Sequence, residues 1–171
     1  MSYDVTIRRQ ELAALVDLKG RPEDVAAAVA WAALPLPDLP NSRTRAGDKE
    51  LYWVGPDQWL LRGPLAAETD LLRQVQTTDA ARRLSVVQVS DVYAFFGVFG
   101  RDAAEILAVA SPLDIHPSAF PQNASTFTDA FGLKTLVIRR ADGFELAVER
   151  SFAEMAADYL QRVAAVPLDP A

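Results

Sequence analysis

The sequence predicts an α+β fold of two tandem ferredoxin-like βαββα(β) units, residues 1–90 and 91–171, fused into one compact domain. Three observations predict it. Gly20-Arg-Pro-Glu-Asp-Val-Ala-Ala-Ala-Val29-Ala30 lines up with Gly100-Arg-Asp-Ala-Ala-Glu-Ile-Leu-Ala-Val109-Ala110. A hairpin pattern over 51–61 lines up with 136–146, setting Asp57 on Asp142, Trp59 on Phe144 and Leu61 on Leu146. Each hairpin is followed by an acidic, Ala-rich helix. Both halves therefore read strand, helix, hairpin, helix, and one more strand closes the first half.

The elements follow in order. Residues 12–18 are an apolar run ended by Gly20, a strand. Pro22 falls in the first turn of a helix over 22–34, where its missing N–H costs nothing, and the Pro35-Leu-Pro37-Asp-Leu-Pro40 stretch stops that helix. Residues 41–49 are polar and read as a loop. Gly55-Pro56-Asp57 is a turn between two aromatic-rich runs over 51–62, a hairpin. Leu65, Leu71, Leu72 and Val75 give 64–77 helical spacing, and 84–89 is a strand. The second half opens with the apolar run 92–99, followed by a helix over 101–110 that Ser111-Pro112 ends. After the 117–121 loop, runs over 125–131 and 135–139 lead through an Asp142-Gly143 turn into 144–148. Ser151, with Glu154 three residues on, reads as a capping box opening a last helix to about residue 163. Residues 167–171 are expected to fray.

Composition bounds the chemistry. With no cysteine, thiolate catalysis, disulfides, iron–sulfur ligation and cysteine-bound zinc are excluded; a single histidine, His116, leaves imidazole-rich metal sites out of reach. Seventeen Lys and Arg against 23 Asp and Glu give a net charge of -6, and no basic run offers a nucleic-acid footprint. No apolar stretch approaches the roughly 20 residues that span a bilayer. The start, Met1-Ser2-Tyr3-Asp4-Val5, lacks a cationic region followed by an apolar run, so a cytoplasmic chain is expected.

Few residues are candidates for a site. Asp114 offers a carboxylate to orient or protonate a ligand amine, and His116, two residues on, a general base that Asp114 would orient. The bland alternatives are a turn made by Asp114 and a loop shaped by His116 among prolines. Asp91, after Ser90, stands at a strand boundary with no second acid beside it. Trp53, Trp59, Phe95, Phe96 and Phe99 would line a flavin or folate pocket, or else pack a core or a subunit interface. Gly97-Val-Phe-Gly100 precedes a helix, but Ala103 stands at the third glycine position of a dinucleotide fingerprint. Asn123-Ala124-Ser125 matches a glycosylation acceptor without a secretion signal to go with it. No metal or cofactor site is expected in the chain itself.

Several segments, in this order, resemble sarcosine oxidase gamma subunits. Trp53-Val-Gly-Pro-Asp-Gln-Trp-Leu-Leu61 resembles their W-L-G-P-D-E-W-L-L, and Val87-Gln-Val-Ser-Asp91 their V-D-V-S-D strand end. Phe99-Gly-Arg-Asp-Ala-Ala-Glu-Ile-Leu107, followed by Ser111-Pro-Leu-Asp-Ile-His-Pro-Ser-Ala-Phe-Pro121, is similar to their Gly-x-x-Ala-x-x-x-Leu helix and C-P-L-D-L-H-P-x-x-F-P loop. Gly143-Phe-Glu-Leu-Ala-Val-Glu-Arg-Ser-Phe-Ala153 resembles Y-E-L-L-V-P-R-S-F-A. The likeness runs over about 12–163. Ser111 stands where cysteine is frequent, the cysteine often found before Thr126 is absent, and Gln88 replaces the usual acid.

That resemblance implies a fold like the folate-binding domain of aminomethyltransferases, in which Asp114 falls near a folate-facing acid. It also implies a heterotetramer. This chain would dock on alpha, beta and delta subunits, chiefly alpha, as a non-catalytic component. FAD, FMN, NAD, tetrahydrofolate and zinc would sit in those partners, where sarcosine is oxidised and its one-carbon unit passed to folate. Two other readings stay open: a free-standing folate-dependent aminomethyltransferase-like protein using Asp114, and a small-molecule-binding regulatory module.

Overall fold

The computed structural model describes residues 3–169. The chain folds as two compact units, one of residues 12–90 and one of residues 1–11 with 91–171.

The first strand, β1 (Thr6–Arg9), belongs to the second of these units. The unit of 12–90 runs through β2 (Ala13–Lys19), α1 (Pro22–Val29), β3 (Arg43–Ala46), β4 (Lys49–Gly55), β5 (Gln58–Pro64), α2 (Glu68–Gln76) and β6 (Ser85–Gln88). Its antiparallel sheet has the order β3-β4-β5-β2-β6. Leaving out the edge strand β3, the remaining strands follow the ferredoxin-like βαββαβ plan. Pro22 opens α1 at its first turn, as expected, with Glu23 and Asp24 at the positive end of the helix dipole. Alternation along the strands sends Val16, Leu18, Leu51, Trp59 and Leu61 into one core. Val25, Val29, Leu71 and Val75 from the two helices pack there too, each buried side chain contributing about 1.5–3 kcal/mol. Leu15, Tyr52 and Leu60 point to the other face and are buried as well.

The second unit repeats the plan with a different last step. Strands β7 (Tyr93–Phe99), β8 (Ser125–Ala130), β9 (Leu133–Arg140) and β10 (Gly143–Glu149) and helices α3 (Ala103–Ala110) and α4 (Ala153–Ala164) take the places of their counterparts. The place that β6 fills beside β2 is filled beside β7 by β1, from the start of the sequence. The chain crosses from one unit to the other at 90/91, and residues 1–11 go with the second unit and not the first. With that place occupied, the segment after α4 forms β11 (Leu168–Asp169), parallel to β1 on its outer side, and the sheet order is β11-β1-β7-β10-β9-β8. Phe96, Val98, Phe144, Leu146 and Val148 meet Ile106, Leu107 and Leu160 of the helices in the core.

Three local expectations change. Residues 43–46, within the expected 41–49 loop, are the edge strand β3, joined to β4 by a tight turn with Gly47 at φ +59°. The capping box does not form. Ser151 lies inside a 3-10 turn (Arg150–Phe152), Phe152 holds the N-cap position without a side-chain bond, and Glu154 pairs instead with Arg9 at 2.8 Å. The expected fraying is replaced at 168–169 by β11, while 170–171 lie outside the described residues. No helix among the described residues is long and apolar enough to cross a membrane.

Candidate functional site

The loop between α3 and β8 carries Asp114 and His116. Ser111 ends the helix, its N–H donating to the Leu107 carbonyl at 2.9 Å, and its Oγ accepts from the Leu113 N–H. Asp114 is exposed, and its Oδ1 accepts the backbone N–H of His116 at 3.0 Å, which makes an Asx turn. The imidazole turns the other way, its Nδ1 lying 2.7 Å from Ser118 Oγ and also accepting the Ser118 N–H. Asp114 therefore touches the backbone of His116 and not its ring, and the pair is not arranged as a base with its orienter. The His116 carbonyl accepts the N–H groups of Ala119 and Phe120, and Phe120 is buried in the core of this unit.

The remaining candidates are divided between the two units. Ser90 is buried and its Oγ accepts the Leu15 N–H at 2.9 Å, whereas Asp91 is exposed. Trp53 and Trp59 pack into the core of the 12–90 unit and Phe96 into that of the other, with Phe95 on the opposite face of β7 and Phe99 half-buried at its end. Gly97 lies inside β7 and not in a turn, and the Gly100 N–H is taken by the Asp142 carbonyl, so this run cradles no phosphate. Asn123 is exposed and Ser125 buried. Among the described residues no group of three or more Asp, Glu or His side chains is placed to hold a metal ion.

Two buried charged arrangements lie apart from the candidate residues named above. On the face of the 12–90 sheet away from its helices, Glu50 is nearly buried, its Oε1 accepting from Arg43 Nη1 at 2.8 Å and its Oε2 from the Tyr52 hydroxyl. Arg62, directly across from Glu50, donates to the same hydroxyl at 3.4 Å. Guanidinium and phenol here replace water that burial takes from the carboxylate. Asp24 is likewise buried, between Arg83 (Nε to Oδ1, 2.6 Å) and Arg21 (Nε to Oδ2, 3.1 Å). The hydrogen bond from Arg83, with that from Arg21, holds its carboxyl below the usual carboxylate range against the opposing effect of desolvation. The signal for Glu50 was the alternation Glu50-Leu51-Tyr52-Trp53, which sets Glu50 and Tyr52 on one face of a strand.

In the second unit a groove of about 430 Å³ runs between the start of α3 and the β9–β10 turn, lined by Arg101, Arg139, Arg140 and Asp142. Its guanidiniums have partners within the unit. Arg139 donates to the Ile115 carbonyl at 2.8 Å and Arg140 to Glu145 at 2.9 Å, with Arg101 3.8 Å from Asp4. The Arg139 bond ties the Asp114 loop to the β9–β10 hairpin.

The fold is shared with solved structures. The chain superposes on a subunit of the "Heterotetrameric Sarcosine Oxidase from Corynebacterium sp. U-96 in complex with pyrrole 2-carboxylate" with a TM-score of 0.86 at 23% identity, over 94% of this chain and 84% of that one. It also superposes on the glycine cleavage system aminomethyltransferase T from Bartonella henselae, with a TM-score of 0.74 at 13% identity over 98% of this chain. It spans about half of that protein, 48%. The regulatory subunit of aspartate kinase from Thermus thermophilus matches with a TM-score of 0.53 at 12% identity, over 95% of this chain and 97% of that one. No curated protein matches the sequence significantly. The family model described as "Sarcosine oxidase, gamma subunit family" matches residues 20–166, a span that takes in the Trp53–Leu61 hairpin and the Asp114 loop. The chain belongs to the sarcosine oxidase gamma subunit family.

Proposed function

We propose that this chain is a structural subunit of a heterotetrameric sarcosine oxidase, docking on its catalytic neighbours and chiefly on the alpha chain. The observation that carries the reading is the family match over 20–166. The inventory of reactive groups supports it: there is no thiol, and the one imidazole has its Nδ1 engaged with Ser118. Large side chains left at the surface, such as Leu39 at 67% and Val109 at 64% exposure, suit a permanent interface, which is typically broad and apolar. In this reading FAD, FMN, NAD, tetrahydrofolate and zinc belong to the alpha, beta and delta chains, in the cytoplasm. There an N-methyl amine is oxidised to an imine and its one-carbon unit passes to folate. No step of that chemistry is assigned to a residue of this chain.

The test is co-expression of the other three chains with and without this one. Sarcosine turnover is expected to be lost or severely destabilised without it, and the purified chain alone is expected to give none. Full, stable turnover by the three-chain preparation would contradict the reading.

A further inference from the structure

Resting on that subunit reading, we propose that the outer edge of β6 takes an extended, uncharged segment of a partner subunit as an added strand. The internal repeat carries the inference. Setting Gly20 on Gly100 places β2 on β7, and the strand paired antiparallel beside each is β6 in one unit and β1 in the other. Leu18 faces Val86 and Val98 faces Ile7, so Val86 is the counterpart of Ile7, and Val87 that of Arg8. Outside β1 runs β11, with Leu168 opposite Ile7 and Asp169 opposite Arg8, and Leu168 and Val166 pack against the core. Ile7 is accordingly fully buried.

The corresponding place beside β6 is open. Among the described residues no strand pairs with its outer side, Val86 is only half-buried, and Val87 is 47% exposed. The Val89 N–H donates to the Leu15 carbonyl at 2.9 Å, so antiparallel alternation turns the N–H and C=O groups of Val86 and Gln88 outward. The side chains differ from those of the other edges as well. β3 carries Arg43 and Arg45, β8 carries Asp129 and β11 carries Asp169, whereas Ser85-Val-Val-Gln88 has neither charge nor proline. Charge and proline are how solvent-facing edges resist pairing, and a β-branched edge without them is suited to it. The repeat specifies the occupant: a segment parallel to β6, with an apolar residue opposite Val86 to cover the core as Leu168 does. Main-chain bonds would supply affinity and that residue the specificity.

The test compares amide hydrogen exchange across residues 84–90 in the purified full chain and in the co-expressed complex, read residue by residue. Val86 and Gln88 are expected to exchange about tenfold more slowly, or slower still, in the complex, while Val87, already bonded to β2, is protected in both. A complex in which Val86 and Gln88 exchange as fast as in the free chain overturns the edge proposal and leaves the subunit reading standing. If no complex forms, the subunit reading fails and the edge proposal falls with it. Slow exchange of both amides in the isolated chain, with a dimeric mass, also overturns it by giving the edge to a second copy. As a second arm, Gln88→Pro removes an outward donor that the β2–β6 ladder does not use. It is expected to leave the isolated chain folded and to weaken assembly by about tenfold or more. Unchanged assembly of a folded Gln88→Pro chain overturns the proposal; if the variant does not fold, the exchange comparison decides.

Discussion

The backbone N–H of Gly100 donates to the carbonyl of Asp142 at 2.9 Å, tying the start of a helical segment to the turn of a hairpin. Gly20 makes the same bond, at the same length, with Asp57 in the other unit. The two pairs are those that align when the halves of the sequence are superposed, so the repeat extends to individual hydrogen bonds.

The two glycines are not equally replaceable. A Cβ on Gly100 would lie 2.5 Å from the Asp4 carbonyl oxygen, with φ at +123°, and on Gly20 it would meet the end of the Leu84 side chain at 2.4 Å, with φ at +157°. Backbone cannot retreat as a leucine methyl can. Gly100→Ala is expected to cost about 1–3 kcal/mol and Gly20→Ala less. Thermal melts check the order, at roughly 2–4 °C per kcal/mol for a chain of this size. Equal losses would contradict it.

Burial separates two ion pairs of the same 2.8 Å length. Arg43 and Glu50 have side chains 9% exposed each, whereas Arg9 and Glu154 are at 38% and 84%. Removing Glu50 strands charge in a dry setting, so Glu50→Ala is expected to cost about 3–5 kcal/mol. Glu154→Ala is expected to cost under about 1 kcal/mol. Denaturant unfolding of the two variants measures the gap.

Asp24 makes stability depend on pH. Its folded carboxyl titrates below its unfolded value, so its contribution is complete above the unfolded value, near about pH 4. It is lost as pH falls through the lower, folded one. Wild type is expected to melt above Asp24→Asn by a constant margin at neutral pH, and the margin is expected to shrink below about pH 4. A margin that grows on acidification would contradict the assignment.

At Asp114 the two functional readings diverge. Asp114→Asn keeps the Oδ1 acceptor of the Asx turn while removing the charge, so the loop survives. The assembled oxidase carrying it is expected to turn over sarcosine within about twofold of wild type; a loss of a hundredfold or more, the scale of a missing acid–base group, would favour the folate-handling reading.

The parts of this fold that sequence revealed are those whose pattern is local. Apolar and aromatic-rich runs marked β2, β5, β7 and β10, and Gly55-Pro56-Asp57 and Asp142-Gly143 marked the β4–β5 and β9–β10 turns. The strands that escaped have their reasons elsewhere in the chain. β1, Thr6-Ile-Arg-Arg9, has one inward apolar side chain, and becomes a strand because β7 lies beside it. β3 is an edge whose arginines look like loop until the Arg43 side chain is known to reach Glu50 on β4. β11 has two residues and exists only where β1 has taken the place it would otherwise hold. Ser151 and Glu154 have a capping spacing, but the pull of Arg9 on Glu154 is tertiary. The Asp114 loop was legible as a motif; the direction its imidazole takes was not, because Ser118 and not Asp114 holds the ring.

Native mass spectrometry on the four co-expressed chains tests the subunit role most directly. This chain is expected in the flavin-bearing particle at one copy per alpha chain, and absent from it only when the particle has come apart. An intact, active particle without it, beside free 171-residue chain, would contradict the claim that it is a structural subunit.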